Sequence, residues 1–229
     1  GSTYGAYMYS PRYVDFYYNT FAGTTYGAYI GTTTTTGAQM TNLNMKNNIF
    51  TASTSYSVYA PTAPLNVLGW DYNLYYTGGA SLAYYGLAYT TLSAWQTANS
   101  AINANSVNSQ VIYMGADDLH LVTGANNLGT PITGITTDID GDTRSTTTPD
   151  IGADEYTPIS DDARISEIIG AAGGCGDSTT SVYVVFQNFG LVNITSMGAT
   201  VQVTDPNANV TTLTGSYSGT LAPTEYDTI

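Results

Sequence analysis

Short runs in the first half of the chain alternate apolar and polar residues: Val14 and Phe16, Leu43 and Met45, Val67 and Gly69. A period of two predicts strands with one buried face. These runs belong to a degenerate repeat. Tyr4-Gly5-Ala6-Tyr7 returns as Tyr26-Gly27-Ala28-Tyr29 and, more loosely, as Tyr56-Ser57-Val58-Tyr59. Each is followed by an Asn-x-aromatic triplet: Asn19-Thr20-Phe21, Asn48-Ile49-Phe50 and Asn73-Leu74-Tyr75. The asparagines stand 29 and 25 residues apart. A period in the twenties predicts a solenoid of stacked β-coils, with equivalent positions about 4.8 Å apart. Stacked asparagines would then satisfy one another, each amide donating to one neighbour and accepting from the other. Phe21, Phe50 and Tyr75, two residues further on, would form an aromatic stack. The uneven spacing, including the Thr32–Thr36 run, reads as loops of unequal length. The tyrosines read as packed ladders or, alternatively, as an exposed aromatic face for glycans or other subunits.

Beyond the repeats, Tyr89-Thr90-Thr91-Leu92-Ser93-Ala94-Trp95-Gln96 predicts a short helix. Thr90 or Thr91 would cap it, and Leu92 and Trp95 would face the coils. Thr157-Pro158-Ile159 then reads as a hinge into a second domain. There the pattern predicts strands at 163–169, 181–190, 199–204 and 210–217, with a last one near Glu225–Ile229. Strands every 12–20 residues, separated by Gly, Pro and Asn, point to a β-sandwich. About five strands fall short of the seven or so of a complete sandwich. The expected fold is all-β, with domains at residues 1–157 and 158–229.

Charge sharpens this division. The 229 residues carry 4 Lys+Arg and 17 Asp+Glu, a formal net charge of −13. Residues 1–110 hold only Arg12, Asp15, Lys46 and Asp71, which cancel. The acidity therefore lies in the second half, whereas 16 of the 21 tyrosines precede residue 111. A surface this poor in Lys and Arg cannot neutralise phosphates, which excludes a nucleic-acid partner. No apolar run approaches the 18 or so residues of a membrane span, so no membrane insertion is expected. One Cys (Cys175) and one His (His120) exclude an internal disulfide and a Cys/His zinc site. The N-terminus is already repetitive, without a secretory leader, and the chain reads as a piece of something longer.

Several motifs then occur in a fixed order. They are Asn47-Asn48-Ile49-Phe50, Asp71-Tyr72-Asn73-Leu74-Tyr75-Tyr76, Thr91-Leu92-Ser93-Ala94-Trp95-Gln96 and Asp118-Leu119-His120-Leu121. Thr137-Asp138-Ile139-Asp140-Gly141-Asp142-Thr143-Arg144 and Pro149-Asp150-Ile151-Gly152-Ala153-Asp154-Glu155-Tyr156 follow. Over residues 1–157 the series resembles the C-terminal end of right-handed parallel β-helix (pectate-lyase-like) regions in large secreted surface proteins of gliding-type Gram-negative bacteria. Gln187-Asn188-Phe189-Gly190 and Gly219-Thr220-Leu221-Ala222-Pro223 resemble the Ig-like modules that follow such regions. The resemblance implies an extracellular, cell-surface location and a non-enzymatic structural or adhesive role, including that of a filament subunit. Self-association, neighbouring fibre domains or glycans are the implied partners. The rival readings are a fragment of a carbohydrate-active β-helix enzyme (polysaccharide lyase or glycosidase) with its catalytic coils upstream, and a glycan-binding module that uses exposed tyrosines.

Candidate chemistry is sparse. Glycosidases need two carboxyls about 5–10 Å apart, whereas Asp15 and Asp71 fall in different coils. No acid/base pair is assembled, and no catalytic residue is assigned. Asp138, Asp140 and Asp142 could converge on calcium, yet Thr143 replaces the EF-hand glycine and Pro149 its distant Glu. The alternative is a closing turn in which Arg144 pairs with Asp150 or Glu155, and no cofactor is required. His120 is expected as a packed side chain in a half-buried strand. Cys175 reads as a free thiol or as one paired outside the chain.

Overall fold

The computed structural model describes residues 1–31, 40–62, 65–115, 117–170 and 181–229. The Thr32–Thr36 run and Cys175 lie outside the described residues. Among the described residues the fold is mostly β, with one short helix, and the chain divides into two compact units, Gly1–Thr157 and Pro158–Ile229. Among the described residues, no helix is long and apolar enough to cross a membrane.

The first unit opens with three tiers of three strands. Tier one comprises β1 (Tyr4–Tyr9), β2 (Arg12–Tyr17) and β3 (Thr20–Gly23). Tier two comprises β4 (Tyr26–Gly31), β5 (Thr41–Lys46) and β6 (Ile49–Ala52), and tier three β7 (Tyr56–Ala60), β8 (Leu65–Asp71) and β9 (Leu74–Thr77). Each strand pairs in parallel with its counterpart in the next tier. Three small, separate parallel sheets result. The first is extended by β10 (Ala83–Tyr85) and then by the antiparallel β11 (Leu87–Tyr89).

The repeat sets the register. Val14, Leu43 and Val67 align, as do Phe21, Phe50 and Tyr75. One alignment departs from the alternation. A register shift after Leu43 puts Trp70, not Gly69, beside Met45. Trp70 thereby enters the core, which Ile30, Leu43, Met45 and Phe50 fill from the three sheets. Helix α1 (Leu92–Ala98) is capped by Thr91, whose side chain accepts from the Ala94 amide. It buries Leu92 and Trp95 against this core, as their i, i+3 spacing predicts.

The chain then adds β12 (Val107–Asn108), parallel to β9, and pairs β13 (Ile112–Tyr113) with β14 (Leu121–Thr123). The segment after β14 packs back on the tiers. Gly152 donates its amide to the Asn47 carbonyl (2.8 Å), and Ala153 donates to Thr20 Oγ1 (3.0 Å). Gly152 has φ of +106°, and a Cβ there would sit 2.6 Å from Ile49 Cδ1. Both its conformation and its contact call for glycine.

The second unit contains β15 (Ala163–Ile169), β16 (Tyr183–Asn188), β17 (Ile194–Thr204), β18 (Val210–Leu221) and β19 (Tyr226–Thr228). Strands β15, β16 and β19 form one antiparallel sheet, and β17 and β18 a long hairpin. Phe186, Ile194 and Leu221 make a small core, joined by Met197, Tyr217 and Ile229. Asn188 is buried beside it. Its amide donates to the Val192 and Leu221 carbonyls and its oxygen accepts from the Gly190 amide.

Candidate functional site

The tyrosines of the repeat form one continuous surface array. In the first sheet Ala28, Ile30 and Val58 point into the core, while Tyr29 and Tyr59 stand on the outside. Tyr7, Tyr29, Tyr59 and Tyr84 stack in one ladder, with ring centroids 4.9, 5.4 and 4.9 Å apart and interplanar angles of 7°, 25° and 29°. Tyr4, Tyr26 and Tyr56 form a second ladder, spaced 5.5 and 6.4 Å. The two ladders touch within each tier, through Tyr4–Tyr7, Tyr26–Tyr29 and Tyr56–Tyr59.

Residues three apart in a regular strand face opposite sides. Here they share a side because the two residues between them are both turned inward: Gly27 with Ala28, and Ser57 with Val58, are buried. A Cβ on Gly5 would lie 2.7 Å from the Ala22 amide, and one on Gly27 2.9 Å from the Thr51 amide. In the first two tiers glycine permits this close backbone approach, and in the third the small Ser57 takes its place. Because the rings of each ladder face one another, they present edges and phenol oxygens to solvent. Tyr7 and Tyr9 are 57% exposed. Burial first, and then neighbouring phenols, push the Tyr29 and Tyr59 hydroxyls above their ordinary range. They stay neutral at physiological pH.

The asparagine triplets supply the scaffold for this surface. Asn19 donates through its backbone and side-chain amides to Asn48 Oδ1 (3.1 and 3.0 Å). Asn48 makes the same pair of bonds to Asn73 Oδ1 (2.9 and 3.0 Å), and the Asn73 amide donates to Ser106 Oγ (3.0 Å). Tyr18, Asn47 and Tyr72, each immediately before a ladder asparagine, have φ of 54–57°. The left-handed corner is thus repeated in every tier.

The acidic turn is organised differently from a loop of three converging aspartates. Asp138 Oδ1 accepts the amides of Asp140 and Asp142 (3.0 and 2.8 Å), and Oδ2 accepts that of Glu155 (2.9 Å). The carboxylates that come together, with ligand oxygens within 4.8 Å of one another, are Asp138, Asp140 and Asp154. Asp142 is replaced in that group by Asp154, because the 138–142 segment closes on its own backbone. The carboxylate of Asp154 arrives from the following segment and also accepts the Leu121 amide (2.7 Å).

His120 corrects a second expectation. It lies outside β14, and its half-buried ring is held by carboxylates. Its Nδ1 meets Asp118 Oδ1 at 2.5 Å and its Nε2 meets Asp140 Oδ2 at 2.8 Å. These two carboxylates, Asp118 foremost, push its pKa up to about 9. At neutral pH an imidazolium therefore sits against the cluster as its counter-cation. The spacing of Asp118, His120 and Asp140 in sequence offers no hint of this contact.

Arg144 is the buried centre of the same turn, only 4% exposed. Its Nη1 pairs with Glu155 Oε2 at 3.3 Å, and its Nη2 donates to the Gly152 and Ala153 carbonyls (3.0 and 2.8 Å). The guanidinium also lies 4.0 Å from the centroid of the Tyr18 ring. Of the two expected partners, Glu155 takes the pair. Asp150 instead accepts the Asn127 and Tyr156 amides, and burial pushes its pKa up to about 6.

The carboxylates of the tiers are occupied by packing. Asp15 accepts the Asn44 side-chain amide (2.7 Å). Asp71 accepts the Tyr72 and Asn105 amides and the Asn105 side chain. A cleft of about 490 Å³ opens beside β3, β6 and β13, between Ala52, Tyr76, Tyr113 and Leu119. Among the described residues, those lining it include no carboxylate, histidine or cysteine.

No family model matches this chain, and no curated protein or solved structure is detectably similar to it.

Proposed function

We propose that residues 1–157 are the closing coils of a right-handed parallel β-helix and that 158–229 form an Ig-like module. Together they serve as a non-enzymatic structural or adhesive element of an extracellular, cell-surface assembly. The observation that carries this reading is the tyrosine array. Its ladders spread a broad, uncharged surface of aromatic edges and hydroxyls over the parallel tiers. Large aromatic side chains favour interfaces, and an uncharged surface offers little repulsion to a partner. Self-association or neighbouring segments of the same fibre are the proposed partners, with glycans as a further ligand class. The −13 charge, concentrated after residue 110, keeps such assemblies dispersed.

The acidic turn belongs to the same reading as a closure. Arg144, Asp138 and Asp150 each hold backbone groups, so the turn is built from its own hydrogen bonds and no cofactor is required.

Incubation with a panel of polysaccharides, followed by sedimentation and sugar analysis, tests the proposal. Retention on a polymer or self-assembly, abolished by Tyr29→Ser with Tyr59→Ser and without release of sugar fragments, supports it. Release of fragments by the intact chain would establish the carbohydrate-active alternative instead.

A further inference from the structure

We propose that the tyrosine array is a site of oxidative cross-linking, where one-electron oxidation joins rings on successive tiers through a carbon–carbon bond. This goes beyond the adhesive role and rests on ring geometry alone, so either claim survives failure of the other.

Two features of the array favour the coupling. The first is register. Tyr7 pairs with Tyr29, Tyr29 with Tyr59 and Tyr59 with Tyr84, so the same ring atoms recur one tier apart. Their stacked rings, 4.9–5.4 Å apart and within 29° of parallel, set the phenols of successive tiers side by side. The second is continuity. Contacts between the ladders, such as Tyr26–Tyr59 at 5.1 Å, let an electron vacancy formed on one ring pass to another. Tyr7, 57% exposed, gives the oxidant access at one end. By contrast, Tyr13 (79% exposed) and Tyr226 (58%) are accessible but stack on no other described tyrosine.

The oxidant is of the peroxide class, acting through a haem peroxidase. Each of two neighbouring phenols loses one electron and its hydroxyl proton, leaving two neutral phenoxyl radicals. Their ortho carbons couple, and one new C–C bond forms. Each ring then transfers its displaced ortho hydrogen to its oxygen and regains the phenol. Two electrons and two protons have left the protein, and one hydrogen peroxide has become two waters.

The test uses the full chain at low concentration, with hydrogen peroxide and a plant-type peroxidase as the probe oxidant. Dityrosine fluorescence is recorded, and the linked residues are mapped by mass spectrometry. The expected products are links within one chain, dominated by Tyr7–Tyr29, Tyr29–Tyr59 and Tyr59–Tyr84. Tyr29→Phe keeps the ring and the stack, so it should remove the first two links and leave the third. Tyr84→Phe should remove only the third. Links involving Tyr13 or Tyr226 at equal abundance would overturn the proposal. So would a link pattern unchanged in both variants while circular dichroism shows them folded.

Discussion

Asn48 donates twice to one oxygen. Its backbone amide and its side-chain amide both meet Asn73 Oδ1, at 2.9 and 3.0 Å. The same side chain also donates to the Phe16 and Lys46 carbonyls and receives both Asn19 amides on its own oxygen. With no exposure, every one of these groups needs its partner. Asn48→Ala should therefore cost about 1–3 kcal/mol in chemical denaturation, from the orphaned groups. Asn48→Asp should cost more at pH 7, because it buries a carboxylate against three carbonyl-type oxygens. It should recover part of that loss in acid, where the carboxyl is protonated. Equal stability of the Asp variant at pH 4 and 7 would contradict the ladder.

Arg144 answers to a different test. Removing it strips Glu155 of its cation, leaving it the Ser145 and Asp150 amides, and takes one donor from each of the Gly152 and Ala153 carbonyls, in a site shielded by Tyr18. Arg144→Ala should lower the stability of the first unit by about 3 kcal/mol, the scale of a broken buried pair. Arg144→Lys should restore little, since an ammonium cannot reach both carbonyls and stack on the ring together. Thermal melts of the two variants settle the matter, and a Lys variant as stable as the parent would refute it.

His120 makes stability depend on pH. Its folded pKa of about 9 exceeds the ordinary 6.5. Its contribution is thus complete below about 6.5 and fades as pH rises through about 9. The melting temperature of the parent should fall toward that of His120→Ala between pH 6.5 and 9.5. The side chain is 42% exposed, so solvent screens the effect and added salt should shrink it. A constant gap between parent and variant across this range would show that the imidazolium is not the operative form.

Calcium offers a fourth check. Asp138 already accepts three backbone amides, and Asp140 holds His120. Chelation at pH 7 should leave the melting temperature where it was, whereas Arg144→Ala lowers it. A marked fall on chelation would make the Asp138, Asp140 and Asp154 group a metal centre.

The tyrosine ladders should separate ring from hydroxyl. Tyr29 touches Tyr4, Tyr7, Tyr26 and Tyr59. With aromatic pairs worth about 0.5–1.5 kcal/mol each, Tyr29→Ala should cost roughly 2 kcal/mol or more. Tyr29→Phe should stay within about 0.5 kcal/mol of the parent, as expected for a surface change that breaks no such contact. Equilibrium unfolding of the two variants measures this, and a Phe variant as damaged as the Ala variant would assign the stability to the phenol oxygen.

The repeat alone was enough to place the parallel tiers. Asn19, Asn48 and Asn73 recur in one local context, and a buried amide is best satisfied by an identical amide one tier away. Leu92 and Trp95 behind Thr91 announced the helix for a similarly local reason, since capping and i, i+3 spacing act within one turn. What alternation could not show is where two successive residues turn inward. Tyr26 and Tyr29 share a face because Gly27 and Ala28 both turn inward, where Gly27 meets Thr51, a residue from another strand. The bulge that exchanges Gly69 for Trp70 in the core is equally non-local. The acidic turn is the clearest case. Asp138, Asp140 and Asp142 are neighbours in sequence. Backbone closure nevertheless draws the third carboxylate from Asp154 and the cation from His120, both set by segments that meet only in the folded unit.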